Sequence, residues 1–203
     1  MDNNHTKNSW SYRTPGIPDH QFIRGRVPMS KEEVRAVTIA KLRLKKDSII
    51  YDIGAGTGSL TIEAALQAQG GRVYAVERQL EGIKLIARNI SKFGLANIEL
   101  IHGEAPEALN DLPPADRVII GGSGGRFKEI FTLLDRDLLC PQGRVVINAI
   151  TLDTLTEVYQ LLKRSNYQYE FCQLAITKGS KLAGYELLKA TNPVYIITVQ
   201  KYS

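Results

Sequence analysis

Ser48-Ile49-Ile50-Tyr51-Asp52-Ile53-Gly54-Ala55-Gly56-Thr57-Gly58-Ser59 decides how this chain is read. The first half is a short apolar run ending in an acid, and the second half places glycine at every other position. A run of that kind predicts a strand buried on both faces, and alternating glycines mark a backbone that turns sharply or meets a ligand closely. The spacing separates ligand classes. Dinucleotide enzymes use G-x-G-x-x-G, whose last glycine lets a helix N-terminus face a pyrophosphate. Here the pattern is G-x-G-x-G, and the next strand, Arg72-Val73-Tyr74-Ala75-Val76-Glu77, ends in a carboxylate. The loop alone is equally a plain strand-to-helix turn; the acid closing the second strand favours a cofactor.

Together these signals resemble the S-adenosylmethionine (SAM) loop of class I methyltransferases. The chemistry agrees, because SAM has no phosphate and pairs an uncharged adenosine with a methionine ammonium. Asp52 suits the cation, Gly54, Ala55, Gly56, Thr57 and Gly58 supply close backbone, and Glu77 can accept from both ribose hydroxyls.

Outward from the loop, the pattern alternates. The chain predicts strands at 48–53, 72–77, 97–102, 115–121 and 143–149, separated by helices at 58–69, 79–93, 105–110 and 125–139 and followed by one at 151–165. Repeated strand-helix units imply a parallel sheet covered on both faces, with ligands at the carboxyl ends of its strands. Ser30-Lys31-Glu32-Glu33 reads as a capping box opening a helix before the first strand. Residues 1–29 are polar and rich in proline and glycine, which predicts an arm or lid beside a single domain at 30–203. At the other end, 169–177 and 194–202 read as strands joined by a connection with no long helix. The expected fold is therefore α/β: a Rossmann-like, seven-stranded sheet, mostly parallel with an antiparallel last strand.

Composition bounds the function. A chain of 203 residues, 43% hydrophobic and 23% charged, suits one globular domain without disorder. No stretch approaches membrane-spanning length, and residues 1–11 lack a signal-peptide core, so a cytoplasmic location and no membrane partner are expected. Cys140 and Cys172 form no C-x-x-C, and His5, His20 and His102 are scattered, so neither a disulfide framework nor a metal site is expected. The net charge of +5 is diffuse, which fits either a solvated basic surface or a substrate rich in carboxylates. No basic run is interleaved with aromatics, which argues against nucleic acid.

Two further loops fall where a ligand would sit. Gly103-Glu104-Ala105-Pro106-Glu107-Ala108-Leu109 follows the third strand. Glu104 can accept from the adenine amino group and the Ala105 amide can donate to a ring nitrogen, although an acid there also suits a helix start. Gly121-Gly122-Ser123-Gly124-Gly125 follows the fourth strand and either leaves room for a broad flat molecule or is simply a flexible connection. It has no N-P-P-Y-like motif and no nearby cysteine, which argues against methylation of nucleic-acid bases.

The opening Gly16-Ile17-Pro18-Asp19-His20-Gln21-Phe22-Ile23-Arg24-Gly25-Arg26-Val27-Pro28-Met29-Ser30-Lys31-Glu32-Glu33-Val34-Arg35, with the two loops just quoted, is similar to the decarboxylating cobalt-precorrin C15-methyltransferases of cobalamin biosynthesis. The resemblance runs from about residue 16 to the end. It implies a SAM site that includes Ser30, the glycine loop, Glu77 and Ala105, with Ala55 standing where relatives often have cysteine. It also implies methyl transfer to a meso carbon of a precorrin, coupled to loss of carbon dioxide from a ring acetate. An electron-rich carbon needs positioning more than a strong base, so no catalytic side chain is named. Arg24, Arg26, Arg126, Lys178 and Lys181 are candidates to hold substrate carboxylates, along with Gly121, Gly122, Ser123 and Gly124 as the substrate loop. The family further implies a homo-oligomer, a tetramer, and functional coupling to a C5-methyltransferase. Three other readings keep part of the pattern: a protein-isoaspartate or RNA methyltransferase, a nicotinamide dehydrogenase, and a catalytically silent SAM-binding subunit.

Overall fold

Runs of valine and isoleucine at the expected places become strands buried between helices in the computed structural model, which describes residues 10–182 and 184–201. β1 (Ile49–Ile53), β2 (Arg72–Glu77), β3 (Ile98–His102), β4 (Ala115–Ile120) and β5 (Leu139–Ala149) run parallel. Next in space comes β9 (Val194–Gln200), antiparallel to β5 on one side and to β6 (Gln168–Leu174) on the other. The sheet has seven strands in the order β3-β2-β1-β4-β5-β9-β6. The reversed strand is last in the chain but lies inside the edge strand β6.

Among the described residues five α-helices cover the sheet: α1 (Glu32–Leu42), α2 (Ser59–Gln67), α3 (Leu80–Phe93), α4 (Phe127–Leu133) and α5 (Leu152–Lys163). Because side chains alternate along a strand, β1 feeds two cores. Tyr51 and Ile53 join Phe127, Ile130 and Val158 on one face, and Ile50 joins Leu42, Leu60 and Ala64 on the other. No helix among the described residues is long and apolar enough to cross a membrane.

Three local expectations are corrected. The helix expected at 125–139 ends at Leu133, followed by a π-helical turn at Leu134–Leu138, and β5 starts at Leu139 rather than 143. Pro141 cannot donate a helical hydrogen bond and restricts the residue before it, so the helix must end short of it. The capping box does not form: Lys31 is the N-cap, without a side-chain cap bond. Ser30 instead gives its carbonyl to Arg35, and Glu33 pairs with Lys178 at 2.6 Å. Finally, the connection before β9 holds a separate two-stranded ribbon, β7 (Thr177–Leu182) and β8 (Tyr185–Ala190).

The first nine residues, His5 among them, lie outside the described residues, but the rest of the arm is stitched to the domain. Ile17, Phe22 and Met29 pack with Ile62 and Phe93. Arg35, fully buried, donates to Glu63 (2.8 Å), to Asp19 (2.8 Å) and to the carbonyls of Ile17 and Ser30, with Phe22 stacked 4.7 Å from its guanidinium. Glu63 completes the joint by accepting from the Gly16 and Ile17 amides at 2.8 and 3.2 Å. A buried charge is tolerated only when paired and hydrogen-bonded in this manner.

Candidate functional site

The alternating glycines have separate duties. Gly54, Gly56 and Gly58 all take positive φ (71°, 59° and 75°), which a Cβ would strain. A Cβ on Gly54 would also lie 2.5 Å from the Gly122 carbonyl oxygen, so the β1 and β4 loops touch backbone to backbone. One on Gly58 would press on Ile86 at 3.0 Å, which fixes how closely α3 approaches. The loop is tied to β2 by the Gly54 and Ala55 amides, which donate to the Val76 carbonyl at 2.9 and 3.1 Å.

At the carboxyl ends of the strands this loop bounds a cavity of about 290 Å³. Glu77 stands in its wall, 7% exposed, and its two carboxylate oxygens accept one backbone amide each: Gly56 at 2.9 Å and Gln79 at 2.8 Å. A carboxylate oxygen has two acceptor sites, so one remains on each oxygen for a ligand hydroxyl. Gly54, Gly56, Glu77, Glu104, Ala105, Gly121, Gly122, Ser123 and Gly124, all singled out in the sequence, line the same cavity. Four other residues of its wall were not singled out as site residues: Val27 and Pro28, inside the 16–35 opening, Arg78 after Glu77, and Ile150 after β5. The cue available for Arg78 is its place next to Glu77; Val27 and Pro28 fall in a stretch whose docking depends on Arg35.

Other expected residues stand elsewhere. Asp52 is 1% exposed beneath the loop, accepting from the Thr61 hydroxyl at 2.5 Å, and does not line the cavity. Burial, helped by the charge of Glu77, pushes its carboxyl up to about 6. Ser30, Ala55, Thr57 and Gly58 are likewise outside the lining. Thr57 has a buried hydroxyl without a partner, and its carbonyl accepts from Asn89 at 2.9 Å. Glu104 does line the cavity but is held by Arg78 at 2.7 Å.

Among the basic candidates, Arg24 and Arg26 are exposed just before the Val27 and Pro28 wall, and among the described residues no ion pair engages their side chains. Arg126 is occupied: it grips Glu107 in two bonds (2.6 and 2.7 Å) and Glu129 at 2.5 Å, and holds the Glu107 carboxyl down to about 2. Lys178 is paired with Glu33, and Lys181 sits on the ribbon 3.9 Å from Glu186.

The donor set fits SAM better than a dinucleotide. Among the described residues the one cation of the lining, Arg78, is already bound to Glu104, and the G-x-G-x-G spacing is not that of a pyrophosphate loop. The Glu77 carboxylate, fixed by two amides, is built to receive a pair of neutral hydroxyls.

The family model described as a precorrin methyltransferase domain matches residues 22–201. The chain is 42% identical over 193 residues to a probable cobalt-precorrin-6B C(15)-methyltransferase (decarboxylating) of Pyrobaculum calidifontis, covering 94% of this chain and 98% of that relative. Among solved structures it superposes on a precorrin-6Y C5,15-methyltransferase from Geobacter metallireducens with a TM-score of 0.87 and 43% identity, covering 92% and 98% of the two chains. It also matches a precorrin-8W decarboxylase of Methanobacterium thermoautotrophicum at TM-score 0.85 and 35% identity, covering 90% and 98%.

Proposed function

The chain belongs to the precorrin methyltransferase family, and from that premise we propose that it methylates C15 of cobalt-precorrin-6B and removes the carboxylate of the C12 acetate, in cobalamin biosynthesis. The observation that carries the reading is the Glu77 carboxylate, held by the Gly56 and Gln79 amides inside a cavity whose far wall is a glycine loop. Bound there, SAM supplies an electrophilic methyl group. Glu77 orients the ribose, the Ala105 backbone and the Glu104–Arg78 pair border the adenine, and the glycine loop faces the reacting carbon. Gly122 leaves open space: nothing lies within 4 Å of where its Cβ would be. A flat macrocycle can therefore approach the backbone closely. Arg24 and Arg26 serve its carboxylates. Catalysis then rests on alignment of an electron-rich carbon with the methyl group rather than on a strong base.

The same reading includes self-association through the ribbon. β7 and β8 leave the carboxyl edge of the sheet between Leu174 and Val194. Successive strand residues face opposite sides, yet Leu187 and Leu188 are 46% and 80% exposed, and Tyr185 is 74% exposed. A two-stranded ribbon with apolar residues bare on both faces is marginal alone, which favours a second copy, up to a tetramer, as its cover. Light scattering should show Leu188→Lys reduced to smaller species; an unchanged mass would exclude the ribbon. Methylation at C5 is left to a partner activity, and the reaction is placed in the cytoplasm.

The deciding experiment is incubation with labelled SAM and cobalt-precorrin-6B, followed by mass analysis. A gained methyl with lost carbon dioxide is expected; an unmodified tetrapyrrole with SAM bound would reject the assignment.

A further inference from the structure

Arg78 is set apart from the other basic side chains by where it stands. Among the described residues it is the one cation in the wall of the cofactor cavity, and it meets Glu104 there at 2.7 Å. Its backbone is fixed by the ladder of β2 and β3: Glu77 pairs with His102, whose Nε2 lies 3.2 Å from the Arg78 carbonyl oxygen. The side chain is held far less. Only its Nη1 is engaged, so the Nε and Nη2 fork stays open to a carboxylate. The two partners are 52% and 43% exposed, and an ion pair so open to water is weak and readily exchanged. The pair also touches the substrate loop. A Cβ on Gly124 would stand 3.1 Å from the Glu104 Oε1 and 3.2 Å from the Arg78 Nη1, so the backbone there, at φ +60°, lies against both. One contact thus joins the loops that follow β2, β3 and β4.

We propose that Arg78 changes partners as the cofactor arrives: Glu104 holds it in the empty cavity, and a macrocycle carboxylate takes it once the adenine amino group has engaged Glu104. The proposal rests on the precorrin reading above and adds a binding residue to its substrate site. In the empty cavity a carboxylate-rich macrocycle meets two acids, Glu77 and Glu104, and a guanidinium already occupied by one of them. The adenine amino group gives Glu104 a replacement donor, which lowers the cost of letting Arg78 go. The freed guanidinium then offers a carboxylate two parallel bonds where Glu104 had one. Gly122, whose open side admits the macrocycle, is two residues from Gly124, so the incoming ring and Arg78 share one short loop. Binding becomes ordered, cofactor first and macrocycle second, because each ligand raises the affinity for the other.

Absorbance titration of cobalt-precorrin-6B, with and without saturating S-adenosylhomocysteine, reads the exchange in the absence of turnover. In the wild type this analogue should tighten macrocycle binding about fivefold, the scale of one exposed ion pair released. Glu104→Gln frees Arg78 beforehand, so its macrocycle affinity should stand at the tighter value under both conditions. Arg78→Met should bind the macrocycle about tenfold more weakly than wild type when the analogue is present, and show no tightening. Calorimetry should give Arg78→Met the wild-type affinity for the analogue. Macrocycle affinity of Arg78→Met within about twofold of wild type would overturn the proposal, and so would full tightening in Glu104→Gln. A loss in Arg78→Met confined to S-adenosylhomocysteine would also overturn it, since Arg78 would then serve the adenine alone. Failure of the underlying reading looks different: wild-type protein would bind the analogue and take up no cobalt-precorrin-6B under either condition.

Discussion

Replacing Glu77 by glutamine tests the ribose assignment with little change of shape. Both carboxylate oxygens already accept a backbone amide, Gly56 on one and Gln79 on the other. A carboxamide has a single acceptor oxygen, so its NH2 group must face one of those two donors. One buried amide is left unpaired, at about 1–3 kcal/mol of stability, and the charge that strengthens both ribose bonds is gone. A hydrogen bond to a charged group contributes about 1.5–3 kcal/mol. Losing the equivalent of one should weaken SAM roughly tenfold to 150-fold. Alanine is the poorer probe, because it frees both amides and empties the space where the Glu77 Cγ packs against Gly82. Calorimetric titration of SAM into Glu77→Gln, with circular dichroism to show the fold intact, measures the effect. Affinity within twofold of wild type in a folded variant would refute the assignment, whatever the activity did.

The two glycines that touch across the loops should part ways. Gly54→Ala sets a Cβ 2.5 Å from the Gly122 oxygen at φ +71°, which should cost about 2–5 kcal/mol in denaturant melts, whereas Gly122→Leu should fold normally and block tetrapyrrole before SAM. Asp52 holds its proton more tightly folded than unfolded, so ionisation works against the fold. Its carboxyl rises from 3.8 to about 6, so wild type should lose about 3 kcal/mol relative to Asp52→Asn as pH rises from about 3 to about 7, with little further change above. Parallel urea melts across that range would show the divergence, and curves that stay parallel would deny it. Arg35→Met removes one partner of a buried pair and should cost about 3–5 kcal/mol. Limited trypsin digestion should then cut near Arg24 and Arg26, and an arm as resistant as wild type would show that Arg35 is not its anchor.

The parallel sheet and the cavity were legible because strand burial and glycine spacing are written locally: β1, its loop and Glu77 lie within thirty residues. The direction of Asp52 was not. Alternation puts it on the same face of β1 as Ile50, toward Thr61 of α2, and which face meets a ligand is settled only when the layers assemble. Ser30 failed as a cap for a similar reason, since Arg35 reached its carbonyl from inside the next helix. The β7–β8 ribbon is not legible in the sequence, because a half-buried strand is recognised by one polar and one apolar face. Thr177-Lys178-Gly179-Ser180-Lys181 offers neither, and the leucines of β8 are consecutive.

The docked arm bears on how the protein is made. Ile17 bonds Glu63, 46 positions on, and Ile23 bonds Asn89, 66 positions on. The N-terminal segment therefore leaves the ribosome long before anything exists to hold it, and must wait while α2 and α3 are synthesised. Val27 and Pro28 can close the cofactor cavity only after that delay, so a nascent chain paused before α3 would own the complete glycine loop and still lack a wall to press the ligand against it.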